Sequence, residues 1–300
     1  MDIISRLTEK IDRLLSAKKA SRVTDIITNG YLLDARTTDL LSVLGVKDAQ
    51  VTLDGTEEVH NLRRPLKGGG KTFGRILKNI KAASEKINIA VRMNVDYTNR
   101  DDIDSLLDVL VAEGLSKKIH FYPGRTYPYT SSCQDIAGAC LSGEDFSLLG
   151  METVLKMIDK NFGALSLPRR KKLFCLTDSD NSFVITPSGG IVKCWNDVGN
   201  PQRLSGHLMQ PEDDSMQKNR ALYSIRDPFK GECGTCGLLP VCMGGCPYIY
   251  QISGRLNCHA WKHNPAIGLA TYYYIKKLIK ETRIIKGYPV SYTHLTLPTN

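Results

Sequence analysis

Four cysteines lie within fourteen residues near the carboxyl end of the chain, and a fifth follows. The stretch is Cys233-Gly-Thr-Cys236, five residues, Cys242-Met-Gly-Gly-Cys246, and then Cys258. A core thiol behaves as a small hydrophobe without fixed spacing, so this glycine-rich pattern predicts thiolates that converge on a metal. Zinc ribbons usually have two Cys-x2-Cys pairs, and only one is present here. We favour an iron–sulfur cluster, with zinc, disulfides and plain buried thiols as the alternatives.

A second set of residues upstream extends the pattern. Cys175 is followed by thirteen residues, Gly189, four residues and Cys194. The whole run is Cys-x13-Gly-x4-Cys, a gap, Cys-x2-Cys-x5-Cys-x3-Cys, a gap and Cys. It resembles the seven-cysteine SPASM domain that follows the catalytic domain of many radical S-adenosylmethionine (SAM) enzymes. The match covers about residues 171–262 and is specific because all seven cysteines are in register.

The resemblance implies two auxiliary 4Fe–4S clusters. The ligands of the first would be Cys175, Cys194 and Cys246, and those of the second Cys233, Cys236, Cys242 and Cys258. Some relatives supply a fourth ligand to the first cluster six residues before its first cysteine, where this chain has Arg169. Two options remain for the fourth position of the first cluster. Its iron is open and binds a substrate thiolate, or Cys133 or Cys140 is the ligand. Both of these cysteines also suit ordinary buried thiols.

The elements that must position this chemistry alternate along the first half of the chain. Strands are predicted at 23–30, 49–55, 87–95 and 119–122, the first of them buried. Helices are predicted at 1–15, 36–45, 73–86 and 100–113, and later at 149–161 and 265–285, the last with Gly287 just past its end. Such alternation predicts an α/β fold with a parallel sheet or barrel.

Several short sequences resemble the later strands of radical SAM domains that precede SPASM domains. They are Thr28-Asn-Gly-Tyr-Leu-Leu33, Val51-Thr-Leu-Asp-Gly55, His60-Asn-Leu-Arg-Arg-Pro65 with the following Gly68-Gly-Gly70 and Thr72-Phe73, and Arg92-Met-Asn-Val95. The resemblance implies a partial TIM-like barrel with SAM at the carboxyl ends of the strands.

Candidate SAM contacts lie at those strand ends. They are Thr52, Asp54, Arg92 and Asn94, with Asn29 as a further candidate. Asn29-Gly30 and Asp54-Gly55 are also ordinary turn sequences, which alone would explain them. Arg63 and Arg64 suit either a clamp on a substrate carboxylate or a brace for a loop.

The chain departs from the family pattern at its amino end. Neither the Cys-x3-Cys-x2-Cys loop that binds the SAM-cleaving cluster nor the Gly-Gly-Glu segment is present. We expect a chain truncated by two strands and a loop, inactive in SAM cleavage as given. The predicted organisation is a partial barrel at 1–130, a linker with a helix at 131–170, a SPASM domain at 171–262, a helix at 263–288 and a non-native tail at 289–300.

Composition narrows the class of protein. Of 300 residues, 42% are hydrophobic, and the net charge of +9 is scattered rather than gathered into an aromatic-interleaved stripe, so nucleic acid is not an expected partner. No apolar run has membrane-spanning length. Nine cysteines without a signal peptide favour a reducing compartment and a cytoplasmic protein.

The resemblance implies an enzyme that modifies a peptide or protein, installing a thioether or another crosslink, with an electron donor such as flavodoxin or ferredoxin. Sulfatase maturation is disfavoured because Trp195, not an acidic residue, follows Cys194, although Asp197 is close. The alternative is an iron–sulfur protein without catalysis, serving electron transfer or binding. The sequence assigns no catalytic residue.

Overall fold

A computed structural model describes residues 2–129, 131–162, 170–224 and 226–282. Arg169, Gly287, the predicted tail at 289–300 and the side chain of Cys133 lie outside this description. By packing, the chain forms two compact units. The first comprises residues 1–126, 138–166 and 266–290, and the second comprises 127–137, 167–265 and 291–300. The predicted domain bounds themselves stay a prediction.

The first unit alternates strands and helices. Its strands are β1 (Thr24–Thr28), β2 (Val46–Thr52), β3 (Asn88–Val95) and β4 (Ile119–Arg125). Its helices are α1 (Asp2–Ala17), α2 (Ala35–Val43), α3 (Glu57–Arg63), α4 (Phe73–Ala83), α5 (Ile103–Ala112) and α6 (Gly143–Asp159), and most of α11 (Pro265–Thr282) also belongs to it.

The four strands form one parallel sheet in the order β1-β2-β3-β4. Each strand is joined to the next by one or two helices, which confirms the predicted α/β class and partial-barrel architecture. The register aligns Thr52 with Arg92 and Arg92 with Tyr122. Consecutive strands therefore bring their polar side chains into one row across the sheet.

The two faces of the sheet differ in polarity because side chains alternate along each strand. One face is apolar and buried, with Val51 and Val91 fully inaccessible to solvent. It packs in the same core as buried residues of the helices, such as Ile80 of α4 and Leu107 of α5. The other face bears half-buried polar residues, among them Gln50. The polar face is the candidate ligand surface.

Three predictions about elements need correction. Strand β1 is not buried, because β2 is its only neighbour in the described sheet and Ile27 is 53% exposed. Helix α3 was missed because seven residues are too few to show a helical period. Helix α6 begins six residues before the predicted start, where the Ser142 hydroxyl accepts from the Asp145 backbone N–H as an N-cap.

The second unit has little regular structure. It contains a small antiparallel sheet of β5 (Val184–Ile185), β6 (Gly190–Val192) and β7 (Gly206–His207). Short helices follow: α7 (Asp214–Ala221), α8 (Gly231–Gly234), α9 (Leu239–Cys242) and α10 (Pro247–Ser253). Within the described ranges of the whole chain, no helix is both long and apolar enough to span a membrane.

We predict that Leu110→Ala destabilises the first unit by about 2–5 kcal/mol, because truncation of this fully buried α5 side chain leaves a cavity. Urea unfolding followed by circular dichroism would measure the change. Leu62→Ala is the matched control, since Leu62 is 83% exposed and its loss should cost within about 0.5 kcal/mol. Equal costs for the two variants would contradict the assigned core.

Candidate functional site

Four cysteines of the second unit line a single pocket. They are Cys233, Cys236, Cys242 and Cys258, which the sequence groups together as one ligand set. His259 and Lys262 also line this pocket. We call it the four-cysteine pocket. Helices α8 and α9 are each a single turn, so their cysteines come from the ends of short rigid segments.

The three remaining cysteines of the pattern form a separate group. The thiols of Cys175 and Cys246 lie close enough to Cys194 for their charges to raise its pKa. Cys194 and Cys246 pack with aromatic side chains of the same unit, including the buried Tyr223 and Tyr248. The structure thus places these three cysteines in a group apart from the four-cysteine pocket.

A tight turn separates Cys242 from Cys246 and directs them to different sets. Met243, Gly244 and Gly245 all have positive φ angles, of 52°, 84° and 79°. A Cβ atom on Gly245 would lie 2.1 Å from the Asn257 carbonyl oxygen, so only glycine fits there. This turn explains physically why two cysteines that are close in the sequence lie in different groups.

Arg226 holds that turn in place. Its guanidinium donates to the carbonyl oxygens of Met243 and Gly245 at 2.9 and 2.7 Å. It also pairs with Asp178 at 3.2 Å, and the Asp178 carboxylate accepts from the backbone N–H of Cys175. The Arg226 side chain is 5% exposed, so these bonds are formed away from water. One arginine therefore connects the segments that bear Cys175, Cys242 and Cys246.

The electrostatics of the thiols follow from burial. Burial raises the pKa of Cys194 to about 12, and it also raises the pKa of Cys175 and Cys246. Such thiols bind a proton at neutral pH unless a cation replaces it. The charge of Cys258 raises the pKa of Lys262, so an ammonium group faces the four-cysteine pocket. This setting suits an anionic metal–thiolate group.

The thiol donors of the four-cysteine pocket are compatible with an iron–sulfur cluster. Within the described ranges, no three His, Cys, Asp or Glu side chains converge closely enough to hold one metal ion. A 4Fe–4S cluster spaces its ligands further apart than a single ion does, because each thiolate binds a different iron. Four thiols around one pocket, with a nearby cation, match that requirement.

The polar face of the first unit bears three of the predicted SAM contacts. Thr52, Arg92 and Asn94 lie at or near the carboxyl ends of β2 and β3, on the same face. The Thr52 hydroxyl and the Asn94 side-chain amide make no hydrogen bond within the described residues. Both remain available to a ligand.

Arg92 lies flat against the neighbouring strand. A Cβ atom on Gly124 would lie 2.4 Å from Arg92 Nε, so the absence of a side chain at 124 permits this approach. Arg92 also hydrogen-bonds the Tyr122 side chain, and Tyr122 donates to Gln50 Oε1. These contacts fix a cationic group in the middle of the polar face.

Asp54 and Asn29 have local structural partners. The buried Asp54 carboxylate accepts from Arg64 Nε at 2.5 Å and from the backbone N–H of Asn94 at 2.9 Å. Asn29 Oδ1 accepts from the Tyr31 backbone N–H, as expected for an Asx turn. Asp54 supports the strand ends, and Asn29 stabilises the turn after β1.

Three residues shape these sites through contacts that the sequence did not reveal. His60 is fully buried, its Nδ1 accepts from the Asp54 backbone N–H, and burial lowers its pKa to about 4. Arg63 pairs with Asp96 at 2.7 Å, which favours the brace over the substrate clamp. Arg226 lies in a segment without any spacing pattern. A buried arginine beside a metal-binding motif gives no sequence signal until its partners are known.

Comparison with known proteins shows which solved structures share this fold. No family model matches the chain. It resembles anSMEcpe, an anaerobic sulfatase-maturating enzyme, solved with bound AdoMet: the TM-score is 0.64 at 17% identity, over 93% of this chain and 78% of that one. The structure of anSMEcpe with AdoMet and the Cp18Cys peptide gives 0.64 at 16% identity, over 92% and 81%.

One curated protein also matches. The Fe-coproporphyrin III synthase of Methanosarcina barkeri is 28% identical over 150 residues, which cover 46% of this chain. The match spans about a third (34%) of the length of that relative. These likenesses confirm the predicted resemblance at the level of the fold: the chain has the fold of a radical SAM protein.

The Arg63–Asp96 pair yields a pH-dependent prediction. Burial raises the pKa of Asp96, but bonds from Arg63 and Thr98 outweigh it and hold the pKa below its usual range. The stabilisation is therefore present above the unfolded-state pKa and is lost as pH falls through the folded pKa. We expect Asp96→Asn to cost about 2 kcal/mol at pH 7, with the gap to wild type narrowing below about pH 4.

Urea unfolding between pH 3 and pH 8 would test this expectation. Asp101→Asn serves as the control, because Asp101 is 94% exposed and its pairing with Arg100 should contribute little. If the difference in the free energy of unfolding between Asp96→Asn and wild type stays constant over the whole pH range, the carboxylate charge of Asp96 is not what stabilises the fold.

Proposed function

We propose that this chain is part of a radical SAM enzyme that modifies a peptide or protein substrate, and that its second unit holds two auxiliary 4Fe–4S clusters. One observation supports the proposal most strongly. Seven cysteines form two groups, and one group lines a single pocket without converging on a one-ion site. The described fold and the AdoMet-bound structures that share it support the same class.

Cys233, Cys236, Cys242 and Cys258 would hold one cluster, and the second would be held by Cys175, Cys194 and Cys246. Such clusters supply electron transfer, and an iron with an open position also binds a substrate group. The chain's own residues exclude water with aromatic side chains around Cys194 and Cys246 and fix the thiols through Arg226. Cys140 belongs to the first unit, and its role as a further ligand stays a prediction.

Thr52, Arg92 and Asn94 would bind SAM on the polar face of the sheet. Hydroxyl, guanidinium and amide groups suit the ribose, carboxylate and amino groups of SAM. The 300 residues contain no Cys-x3-Cys-x2-Cys loop, so the proposal assigns SAM binding, and not SAM cleavage, to this chain. A peptide substrate is supported by the peptide-bound anSMEcpe structures. A flavodoxin or ferredoxin would supply electrons in a reducing cytoplasm.

A second candidate function is maturation of a sulfatase. The buried Asp197 favours it, since its carboxylate lies close to Cys194 in sequence and accepts from the Tyr223 hydroxyl at 2.6 Å. Trp195 after Cys194 still argues for another peptide modification, such as a thioether crosslink. An iron–sulfur protein without catalysis remains the alternative from a different class.

The cluster assignment predicts metal content. Protein purified without oxygen should contain about eight irons and eight acid-labile sulfides per chain, from two 4Fe–4S clusters. Cys236→Ser should reduce iron by about half, because it removes one ligand of the four-cysteine pocket. Cys194→Ser should affect the other cluster, and the two variants should lose different electron paramagnetic resonance signals.

Cys140→Ser tests the predicted further ligand, since a loss of iron would assign Cys140 to the first cluster and full iron content would exclude it. Stoichiometric zinc with almost no sulfide would overturn the iron–sulfur assignment and leave a zinc-binding structural protein. Full iron content without SAM binding would instead support the electron-transfer alternative.

The SAM assignment is tested separately, by equilibrium dialysis with radiolabelled SAM. We expect Asn94→Ala to weaken binding about tenfold, the effect of one or two lost hydrogen bonds. Asn29→Ala should change affinity less than about twofold, because its side chain serves its own turn. Equal effects of both variants, or no saturable binding by the wild type, would contradict the assigned face.

A further inference from the structure

A second cavity lies in the cysteine-bearing unit, apart from the four-cysteine pocket. It has a volume of about 350 Å³, within the size range of small-ligand sites. Its walls come from α10 and from two single-turn 3-10 helices, Pro201–Arg203 and Leu222–Ser224. The lining residues are Arg203, Leu222, Tyr223, Arg226, Pro247, Tyr250 and Gln251. We call it the arginine–glutamine pocket.

Gln251 places an unused amide in this pocket. Both its Nε2 and its Oε1 are buried, and neither finds a hydrogen-bond partner within the described residues. Buried polar atoms without a partner cost free energy, so they are uncommon unless a ligand or water satisfies them. An amide that offers one donor and one acceptor is complementary to a peptide group, which offers the opposite pair.

Arg203 places an unused cation beside that amide. Its guanidinium is half-buried and makes no hydrogen bond or ion pair with any described residue. The other arginine of the pocket, Arg226, is already bound to Asp178 and to two carbonyl oxygens. No carboxylate is among the described residues that line the pocket. The lining is therefore electropositive, and Arg203 is the arginine in it that makes no ion pair within the described residues.

The remaining walls suit a peptide side chain. Leu222 and Pro247 are apolar, and the rings of Tyr223 and Tyr250 present flat surfaces. The Tyr223 hydroxyl donates to Asp197 and so does not add a second free donor. Burial raises the pKa of Asp197, and the positive charge of Arg203 acts in the opposite direction. Asp197 is not among the lining residues, and the two side chains do not form an ion pair within the described residues. The polar groups of the lining that make no hydrogen bond within the described residues are the Arg203 guanidinium, the Gln251 amide, the Tyr250 hydroxyl and Arg226 Nε.

We propose that the arginine–glutamine pocket binds an acidic residue of a peptide, with Arg203 on the side-chain carboxylate and Gln251 on the adjacent peptide group. A guanidinium binds a carboxylate in a bidentate manner, which gives direction as well as affinity. The inference rests on the peptide substrate of the proposed function and adds to it a binding site that requires neither SAM binding nor electron transfer. It assigns to the second unit a peptide-binding role with a preference for Asp or Glu.

The test uses fluorescence anisotropy on the anaerobically purified, cluster-containing protein. Two labelled peptides that differ only in a central Glu or Gln are compared with the same protein, so the first result needs no variant. We expect the Glu peptide to bind at least about tenfold more tightly than the Gln peptide. Equal binding of the two peptides, or no binding of either, would overturn the proposal.

Variants then locate the site. Arg203→Gln should remove the preference for Glu, whereas Arg255→Gln, at an exposed arginine of the same unit, should keep it. Gln251→Met keeps the side-chain length but removes both hydrogen-bonding groups, so it should weaken both peptides to a similar degree. Gln217→Met, at an exposed glutamine, is its control. If Arg255→Gln abolishes the preference as fully as Arg203→Gln, the pocket is not the source.

Competition separates a peptide from a free acid. Glutarate has the carboxylate but lacks the peptide group that Gln251 would bind, so it should compete only at concentrations far above that of the peptide. Competition by glutarate at equal concentration would assign the pocket to a free acid and overturn the peptide assignment. Iron content measured on every variant shows whether the unit is intact. A variant that loses the preference for the Glu peptide but keeps its full iron content has a defect in the pocket and not in cluster binding. The failure of this inference and the failure of the cluster assignment can therefore be told apart.

Discussion

The ion pair between Arg226 and Asp178 is the contact on which the cysteine-bearing unit depends. This unit has three very short strands and helices of one or two turns, so regular hydrogen bonding fixes little of it. Arg226 compensates by donating to two carbonyl oxygens of the left-handed turn and pairing with the carboxylate that caps the Cys175 segment. Loss of these contacts would be costly, because it would leave a buried charge and two carbonyl oxygens unpaired.

The turn that Arg226 stabilises determines which thiols can meet. Three consecutive residues with positive φ reverse the chain between Cys242 and Cys246, so four positions in sequence separate thiols that belong to different groups. The conformation is accessible because two of the three residues are glycines, and Gly245 is in contact with the Asn257 carbonyl. Gly244 and Gly245 allow the left-handed turn, and the charged side chain of Arg226 holds it. Together they place the thiols of one short motif in two separate groups.

The sequence was informative where a rule is local. The resemblance to the SPASM domain implied two groups of cysteines, and alternation of apolar runs predicted all four strands of the parallel sheet. It failed where partners are distant: Arg226 and Asp178 are 48 residues apart, and nothing in either segment marks the pair. It also misjudged β1, because an apolar β-branched run does not reveal how many neighbours a strand has. The role of Asp54 was ambiguous for the same reason, since its partner Arg64 is known only from the fold.

The two units position their polar side chains by different physical means. In the first, a regular sheet provides the positions, and side-chain alternation alone sends Thr52, Arg92 and Asn94 to one face. In the second unit, each polar group is held by its own hydrogen bonds or ion pair. The polar groups that lack such a partner indicate where a ligand could bind. The terminal nitrogens of Arg226 bind two backbone carbonyl oxygens and the Asp178 carboxylate, while the side chains of Arg203 and Gln251, in the same pocket, make no hydrogen bond within the described residues. Because unpaired buried groups cost stability, the contrast between two arginines of one pocket separates a structural role from a binding role more clearly than burial or charge alone.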